Sequence, residues 1–343
     1  MKYGLARGGL LAALMLLGAT TTGLAADKVV VGVIGSLSDV PFFMAIDNGY
    51  FKDAGIEPQF ENIPSLAKQV APLSSGQFDV ASGAISAGVY NAVDRGIPLK
   101  IVADKGRNAP SYGYNTIMVR KDLHDSGKVK SLKDLKGETI ATIGVGSSDL
   151  SILNDAMKSV GLTFEDLKVT QLSLPNHLIA MQNKAIGFTL TPDPFATVMV
   201  EKGVAFKLAT VDQFYPNAQQ TVLIYGGKFI KERRDVAQRF MEAYVRGVRA
   251  YESGLKGGRI AGKNADQVIA SIVKHSREKD PELLKKITPV AIDPSGRLEV
   301  ASIKKDFAFL KAKGFIHGDV KVEDLIDTSF AEAADKKLGP YKP

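Results

Sequence analysis

Apolar and polar residues are arranged along the chain in blocks that predict strands followed by helices. Lys28 to Gly35 (KVVVGVIG) is a continuous β-branched run ended by glycine, typical of a strand buried on both faces of a parallel sheet. Phe42 to Lys52 follows with helical spacing, and Gly55 ends this first unit. Strands and helices alternate as far as the apolar run Leu99–Ala103. This alternation predicts an α/β fold with a mainly parallel sheet.

The same order of elements occurs twice. Residues 29–81 and 139–190 each contain a strand, a turn with glycine and serine, a helix, a glycine, a second strand, a proline, a helix and a third strand. The repeat is one of topology, not of individual residues, and it predicts two similar α/β lobes. After the strand Val222–Tyr225, helical patterns dominate, as in Arg234–Leu255 and Ser302–Lys313. We expect this helical tail to pack back on the first lobe.

The N-terminal segment has the features of a cleavable export signal. Lys2 and Arg7 form a basic start, Leu10–Ala19 is a short apolar run, and Gly23-Leu24-Ala25 supplies the small residues of a cleavage site. The run is much shorter than the roughly 20 residues that span a bilayer. We expect cleavage after Ala25, which lowers the formal net charge from +7 to +5 because both basic residues leave with the segment.

Cysteine is absent from the 343 residues. This excludes disulfides, thiolate metal sites, cysteine nucleophiles and a lipid-modified N-terminal cysteine. With an export signal and no lipid-acceptor cysteine, the protein is expected in the periplasm, without a lipid anchor. Basic residues alternate with acids, as in Lys231–Arg234, which is typical of solvated helix faces and does not favour nucleic-acid binding.

Five motifs, in the right order, resemble the nitrate/sulfonate/taurine-type substrate-binding proteins of ABC transporters, within the thiamine-pyrimidine-precursor-binding-like superfamily. They cover most of residues 28–340. The motifs are Pro41-Phe42-Phe43-Met44-Ala45 with Gly49-Tyr50-Phe51, Ser75-Gly76-Gln77-Phe78-Asp79, Gly96-Ile97-Pro98, Ser131-Leu132-Lys133-Asp134-Leu135, and Gly314-Phe315-Ile316 with Leu325-Ile326-Asp327. Lys184-Ala185-Ile186-Gly187 and Asp193-Pro194 depart from the patterns of many relatives.

The resemblance implies a type II periplasmic-binding-protein fold, in which two doubly wound lobes joined by a two-strand hinge close over a small ligand. The expected organisation is a signal peptide at 1–25, a first lobe from 26–112 plus 222–343, a second lobe from 113–221, and hinges near 105–116 and 215–225.

Ligands of doubly wound sheets bind at the carboxyl ends of strands, where helices begin. Three such turns, Ser36–Asp39, Ser82–Ser86 and Gly146–Ser148, offer hydroxyls, N–H groups and the positive ends of helix dipoles, which suit an anion. The alternative is that Ser38, Ser86 and Ser148 are ordinary N-caps.

Four other positions are candidates for the same cleft. Arg107, with Asn108, could bind a carboxylate or sulfonate through two N–H groups, or could be a solvated loop residue. Phe42, at the start of a helix, is expected to form an aromatic wall, whereas Phe43 is expected in the core. Asp193 could accept from the ligand or fix its loop. The complete candidate set is Ser38, Phe42, Ser82, Gly83, Ser86, Arg107, Asn108, Gly146, Ser147, Ser148 and Asp193.

These features predict the periplasmic solute-binding component of an ABC importer. It would bind a small organic anion, a sulfonate or carboxylate with an aromatic acid left open, and would deliver it as a monomer to the permease. No catalytic, metal or cofactor residues are expected, because the four histidines are dispersed. The alternative is an exported enzyme on the same fold, a dehydratase or a relative of pyrimidine-precursor synthases.

Overall fold

A computed structural model describes residues 25–63 and 65–342. The predicted signal peptide therefore lies almost entirely outside the described residues. The described strands are β1 (Asp27–Val33), β2 (Ile56–Asn62), β3 (Val80–Ala84), β4 (Leu99–Asn108), β5 (Asn115–Arg120), β6 (Thr139–Thr142), β7 (Lys168–Gln171), β8 (Phe188–Pro192), β9 (Ala205–Thr210) and β10 (Ala218–Gly226).

Helices fill the connections between the strands and dominate after β10. They are α1 (Val40–Asp47), α2 (Tyr50–Asp53), α3 (Leu66–Ser75), α4 (Ala87–Asp94), α5 (Lys121–Asp125), α6 (Ser148–Ser159), α7 (Leu174–Gln182), α8 (Phe195–Glu201), α9 (Gly227–Glu232), α10 (Arg234–Glu252), α11 (Ala265–His275), α12 (Pro281–Lys286), α13 (Val300–Ala312), α14 (Val322–Leu325) and α15 (Ser329–Leu338). Short 3₁₀ helices lie at Leu37–Asp39, Leu132–Leu135, Phe164–Asp166 and Val211–Gln213. No helix among these described residues is long and apolar enough to cross a membrane.

The strands form two five-stranded sheets with the same internal order. The first sheet is β2-β1-β3-β10-β4 and the second is β7-β6-β8-β5-β9. In each sheet one strand, β10 or β5, is antiparallel to both neighbours, and it is the strand by which the chain enters that sheet from the other one. The repeat in the sequence thus corresponds to β1–β2–β3 and β6–β7–β8, which occupy equivalent places.

Both faces of the first sheet are covered, as the unbroken apolar run of β1 predicts. Val29 and Val31 are fully buried in a core formed largely with the C-terminal helices, while Val30 packs against a second core on the opposite face. Since neither face of the strand meets water, neither needs polar residues. The second sheet has its own two cores, on either side of β5.

The helical tail packs on the first lobe but also reaches the second. Helix α10 lies against α1, and Gly247 makes this possible because a Cβ there would lie 2.2 Å from the carbonyl oxygen of Pro41. Helix α13 packs against α6 of the second lobe, where Lys305 Nζ lies 2.6 Å from Asp155 Oδ2. The tail therefore contributes to the contact between the lobes, which the sequence did not predict.

Two segments carry the chain between the sheets: residues 109–114 connect β4 to β5, and residues 211–217 connect β9 to β10. Much of the predicted hinge region 215–225 lies on β10, the antiparallel strand between β3 and β4 in the first sheet. We propose the two connecting segments as the hinge. The predicted helix Phe42–Lys52 is interrupted at Gly49, whose φ of 72° ends α1 and starts α2.

Candidate functional site

The turns after β3 and β6 meet between the two lobes. Ser86 and Ser147 form an antiparallel bridge. The backbone N–H of Ala87 donates to the carbonyl of Gly146 at 2.8 Å, and the N–H of Ser148 donates to the carbonyl of Ile85 at 3.0 Å. Two of the turns selected from the sequence are thus in direct contact across the cleft.

The serines of these two turns do not act as side-chain caps. Ser86 and Ser147 are the N-cap residues of α4 and α6, but neither hydroxyl bonds the first turn of its helix. Ser147 Oγ instead donates to the carbonyl of Gly144 at 2.7 Å. Ser148, expected as a cap, is the first helical residue, and its buried Oγ, like that of Ser86, has no hydrogen-bond partner among the described residues. Gly146 has a φ of +82°, a conformation that favours glycine at the tip of the turn.

In the turn after β1, Ser38 lies beside a buried ion pair. Lys105 Nζ lies 2.6 Å from Asp39 Oδ1 and donates to Ser38 Oγ at 2.7 Å. The side chains of both charged residues are completely buried. Burial lowers the pKa of Lys105, and the neighbouring carboxylate of Asp39 opposes this shift. Ser36, not Ser38, is the N-cap of the short 3₁₀ helix here.

Ser82 and Gly83 serve the interior of the first lobe. The hydroxyl of Ser82 donates to the carbonyl of Gly32 at 2.8 Å, and its backbone N–H donates to Gln69 Oε1 at 3.0 Å. Gly83 has a φ of +155°, and a Cβ at this position would lie 3.1 Å from side-chain atoms of Ile34 and Leu66. Both residues therefore support β3 from behind the cleft.

Arg107 is held by carboxylates of its own lobe and its tail. Its guanidinium lies 2.6 Å from Glu299 Oε1, 3.5 Å from Asp293 Oδ2 and 3.9 Å from Asp104 Oδ2. Asp104 is fully buried, and burial raises its pKa to about 6, although Arg107 opposes the shift. Arg107 is therefore neither available to bind a ligand anion nor a solvated loop residue. Its ion pairs attach the segment after α12 to the edge strand β4.

Asn108 lies where the chain leaves the first sheet. Its Oδ1 accepts from the backbone N–H of Asn115 at 3.2 Å, which ties together the two ends of the first connecting segment. The Nδ2 atoms of Asn108 and Asn115 are buried and lack partners in the part of the chain that the structure describes. Tyr114, beside Asn115 and Thr221, has its pKa raised by burial. This region retains hydrogen-bonding capacity for a bound molecule.

The prediction for Phe42 as an aromatic wall is wrong, whereas Phe43 packs against the first core as a partly buried residue. Phe42 is fully buried, with its ring 5.2 Å from that of Tyr244 and 5.4 Å from that of Phe60. Phe43 is only partly buried and stacks on His275 at 5.1 Å. Near a helix start, a shift of one residue turns a side chain by about 100°, since a turn takes 3.6 residues.

Asp193 fixes its own loop. One carboxylate oxygen accepts from the backbone N–H of Thr197 at 2.8 Å, and the other accepts from the N–H of Thr288 at 2.8 Å. Lys207 Nζ lies 3.3 Å from the second oxygen. The carboxylate thereby joins the start of α8 to the tail.

Sequence reasoning missed Asp149 and Gln220. Asp149, in the first turn of α6, accepts from Gln220 Nε2 at 2.6 Å and from the hydroxyl of Thr142. Burial raises the pKa of Asp149. The acid directly after Gly144–Ser148 was visible in the sequence, but Gln220 is distant along the chain and could not be paired with it. Among the described residues no group of three or more metal-ligating side chains could hold a metal ion.

Residues 38–252 match the model of the family described as NMT1/THI5 like. This match covers more than half of the chain. The chain belongs to the NMT1/THI5-like family. Comparison with curated protein sequences finds no significant match to this NMT1/THI5-like chain.

Solved structures share the architecture of this NMT1/THI5-like chain at low sequence identity. A ligand-binding component of an ABC-type import system from Staphylococcus aureus has a TM-score of 0.71 and 15% identity, with 90% of this chain and 99% of that chain covered. The periplasmic nitrate-binding protein NrtA from Synechocystis PCC 6803 has a TM-score of 0.70 and 13% identity, covering 91% and 89%. The periplasmic aliphatic sulphonate-binding protein SsuA from Escherichia coli has a TM-score of 0.68 and 16% identity, covering 89% and 99%.

One of the similar structures is an enzyme. The desulfurization enzyme DSZB has a TM-score of 0.60 and 12% identity, covering 91% of this chain and all of that one. The predicted resemblance and the predicted periplasmic-binding-protein fold are confirmed by the family match and by the shared two-lobed architecture.

Proposed function

We propose that this NMT1/THI5-like protein is the periplasmic solute-binding component of an ABC importer, and that it captures a small polar molecule between its lobes. The observation that carries the proposal is the meeting of the β3 and β6 turns, where two lobes of equal topology touch through backbone hydrogen bonds. Within the described residues two connecting segments, 109–114 and 211–217, carry the chain between the sheets, so the lobes can separate and close around a ligand.

Buried polar atoms between the lobes support a ligand at this place. Asn108 Nδ2, Asn115 Nδ2, Gln220 Oε1, Thr221 Oγ1 and Ser148 Oγ are buried without hydrogen-bond partners in the described residues. An unpartnered buried polar group costs about 1–3 kcal/mol. A polar ligand in the cleft would satisfy several of them, and the closed form that it stabilises would dock on the permease.

The export signal supports a periplasmic location, and the absence of cysteine supports a protein without a lipid anchor. The finer expectation of a small organic anion draws on two similar structures that are described as nitrate-binding and sulphonate-binding. The buried carboxylate of Asp149, which lies between the lobes, weighs against an anion.

The enzyme alternative rests on the similarity to DSZB. No cysteine is present to act as a nucleophile. His177, the one fully buried histidine of the described residues, has its pKa lowered to about 4 by burial, and its Nδ1 lies 2.6 Å from Thr189 Oγ1. It is therefore neutral at physiological pH and engaged inside the second lobe.

Thermal melting of the purified protein with sulfonates, carboxylates, nitrate, pyrimidines, amines and amidines tests the proposal. A ligand at 100 times its Kd adds about 2.7 kcal/mol of stability, which a melting curve resolves. A stabilising ligand should also lower the radius of gyration in small-angle scattering. Turnover of one compound, with no compound raising the melting temperature, would establish the enzyme alternative instead.

A further inference from the structure

In the part of the chain that the structure describes, Asp149 is a buried carboxylate without a basic partner. It is 3% exposed and lies between the lobes, since its hydrogen-bond partner Gln220 belongs to β10 of the first sheet. No lysine, arginine or histidine of residues 25–63 and 65–342 forms an ion pair with it. Side-chain hydrogen bonds from Thr142 and Gln220, a backbone hydrogen bond at Ile143 and the helix dipole of α6 stabilise its charge only in part, because removing a carboxylate from water costs several kcal/mol.

Two basic residues described above, one in each lobe, are already paired with carboxylates. Lys105 is paired with Asp39 at 2.6 Å, and Lys207 with Asp193 at 3.3 Å. An anionic ligand would therefore meet no free cation among these residues, and it would bring a second negative charge towards Asp149. Like charges in a desolvated site repel each other strongly.

The N-terminus of α6, which the sequence predicted as an anion site, already holds a carboxylate. Asp149 itself stands in the first turn of α6, where the positive end of the dipole would otherwise attract a ligand anion. Asp39 stands in the same way directly before α1. Carboxylates of the protein itself thus occupy the helix N-termini that would otherwise stabilise an anionic ligand.

A second acceptor lies beside Asp149. The side-chain amide of Gln220 donates to Asp149 through Nε2. The Oε1 atom of the same amide is buried and has no hydrogen-bond partner in the described residues. Gln220 is 3% exposed. Two neighbouring oxygen acceptors, one of them charged, match a group that carries several N–H donors and a positive charge.

We propose that the ligand carries a positively charged nitrogen group, a protonated amine, amidine or guanidinium, which pairs with Asp149 and donates to Gln220 Oε1. This inference rests on the proposed function, since it assigns the chemical class of the molecule held between the lobes. The cation supplies the charge that the buried carboxylate lacks, and the interaction strengthens as the lobes close and exclude water.

Three compounds of nearly equal shape and different charge test the inference. Benzamidine, benzamide and benzoate are compared by calorimetry and thermal melting, together with the aliphatic set butylamine, butyramide and butyrate. We expect the cation of at least one set to bind, and to bind about tenfold or more tightly than its neutral and anionic counterparts, as one charge-assisted hydrogen bond allows.

The variant Asp149→Asn separates a ligand contact from a structural role. It should lose about tenfold or more in affinity for the cation, and it should reduce the preference for the cation over the anion. Asp79→Asn is the control for the substitution itself, because it removes a carboxylate charge at the start of β3, at the opposite end of that strand from the turn 82–86. Asp79 accepts from the backbone N–H of Val30 and pairs with Arg233 at 3.2 Å. The control should leave affinity unchanged.

The outcomes separate the two proposals. Binding of benzoate, butyrate or a sulfonate in preference to the cations overturns the charge assignment and leaves solute capture in place. An unchanged affinity for the cation in folded Asp149→Asn also overturns it. If no compound of any charge binds, while turnover is detected, both the inference and the proposed function fail.

Discussion

Ser86 and Ser147 form an antiparallel bridge between the first and second lobes, which places the starts of α4 and α6 against each other. The flanking hydrogen bonds are donated by Ala87 and Ser148, each the first residue of its helix. The N–H groups at such positions have no partner within the helix. The contact between lobes therefore uses donors that the helices leave free.

Replacing these donors by proline should loosen the closed form without breaking the helices. Proline is tolerated as the first residue of a helix, and both preceding serines have the extended backbone that proline requires. In Ala87→Pro or Ser148→Pro, each lost hydrogen bond removes about 0.5–1.5 kcal/mol. We expect a larger radius of gyration in scattering and a ligand affinity lower by roughly twofold to tenfold.

Ala87→Gly and Ser148→Ala keep the N–H groups and are the controls for the proline variants. Both controls should retain the parent's radius of gyration, and Ala87→Gly should also retain its affinity. Ser148→Ala removes a hydroxyl proposed to meet the ligand, so Ser148→Pro is compared with Ser148→Ala and not with the parent. If the proline variants, folded by circular dichroism, are as compact as the controls, these two hydrogen bonds do not hold the lobes together.

The buried pair of Lys105 and Asp39 should be strongly coupled. Lys105→Met leaves an unpaired carboxylate in a fully buried site and should lower the free energy of unfolding by about 3–5 kcal/mol. Removing Asp39 as well, in Lys105→Met with Asp39→Leu, should recover much of the loss. Urea unfolding measures both variants.

The exposed pair of Lys285 and Glu282 provides the comparison for the buried pair. Its nitrogen–oxygen distance is 2.7 Å, but the side chains are 54% and 72% exposed. Lys285→Met should change the free energy of unfolding by less than about 1 kcal/mol. Equal losses for the buried and exposed pairs would contradict the assigned burial of Lys105.

Phe42 and Phe43 should differ sharply in their contribution to stability. Phe42→Ala removes a fully buried ring among Phe60, Phe240 and Tyr244 and should cost about 3–5 kcal/mol in urea unfolding. Phe43→Ala removes a partly exposed ring and should cost clearly less. The reverse order would contradict the burial of the Phe42 ring.

Asp306 should make stability fall as pH rises. It is 1% exposed and accepts from the hydroxyl of Tyr215 at 3.0 Å, at the contact between α13 and the second lobe. Burial and the nearby Asp155 raise its pKa from 3.8 to about 7, while Lys305 opposes the shift, and Tyr90 is the other titratable group close by. Between these two pKa values the folded state holds a proton that the unfolded state has lost, so the free energy of unfolding decreases with rising pH.

The variant Asp306→Asn should therefore reduce the difference in unfolding free energy between pH 5 and pH 8, as urea titrations at the two values would measure. The free energy of unfolding of the variant should still fall somewhat with pH, because burial raises the pKa of Asp104 to about 6. Asp235→Asn is the control: its pKa is lowered from 3.8 by Arg239, so its titration lies below the tested range. A slope unchanged by Asp306→Asn would show that Asp306 does not titrate there.

The fold could be predicted because its signals are local. The apolar run of β1, glycines at or just after the ends of several helices and the repeated order of elements specify strands, helices and two similar lobes without any distant contact. The element bounds differ by a few residues, as for α10, predicted at 234–255 and found at Arg234–Glu252. β9 was not predicted, because its short run AFKLAT lacks a clear apolar pattern.

The candidate site could be predicted only as far as its backbone. The turns 82–86 and 146–148 were selected because carboxyl ends of strands that precede helices meet in such folds, and they do meet here. Which side chains are free for a ligand depends on partners far along the chain. Arg107 is occupied by Glu299 and Asp293, and Ser82 by Gly32.

The sequence by itself therefore determined the family, the two α/β lobes and the turns at which they meet, because hydrophobic periodicity and turn residues act over a few positions. The tertiary structure decided the charge and hydrogen-bonding capacity of the cleft. Lys105 is neutralised by a residue 66 positions away, and Asp149, without a basic partner in the described residues, lies beside a glutamine 71 positions away. Such pairings arise only when distant segments pack together and exclude water, so no local pattern records them.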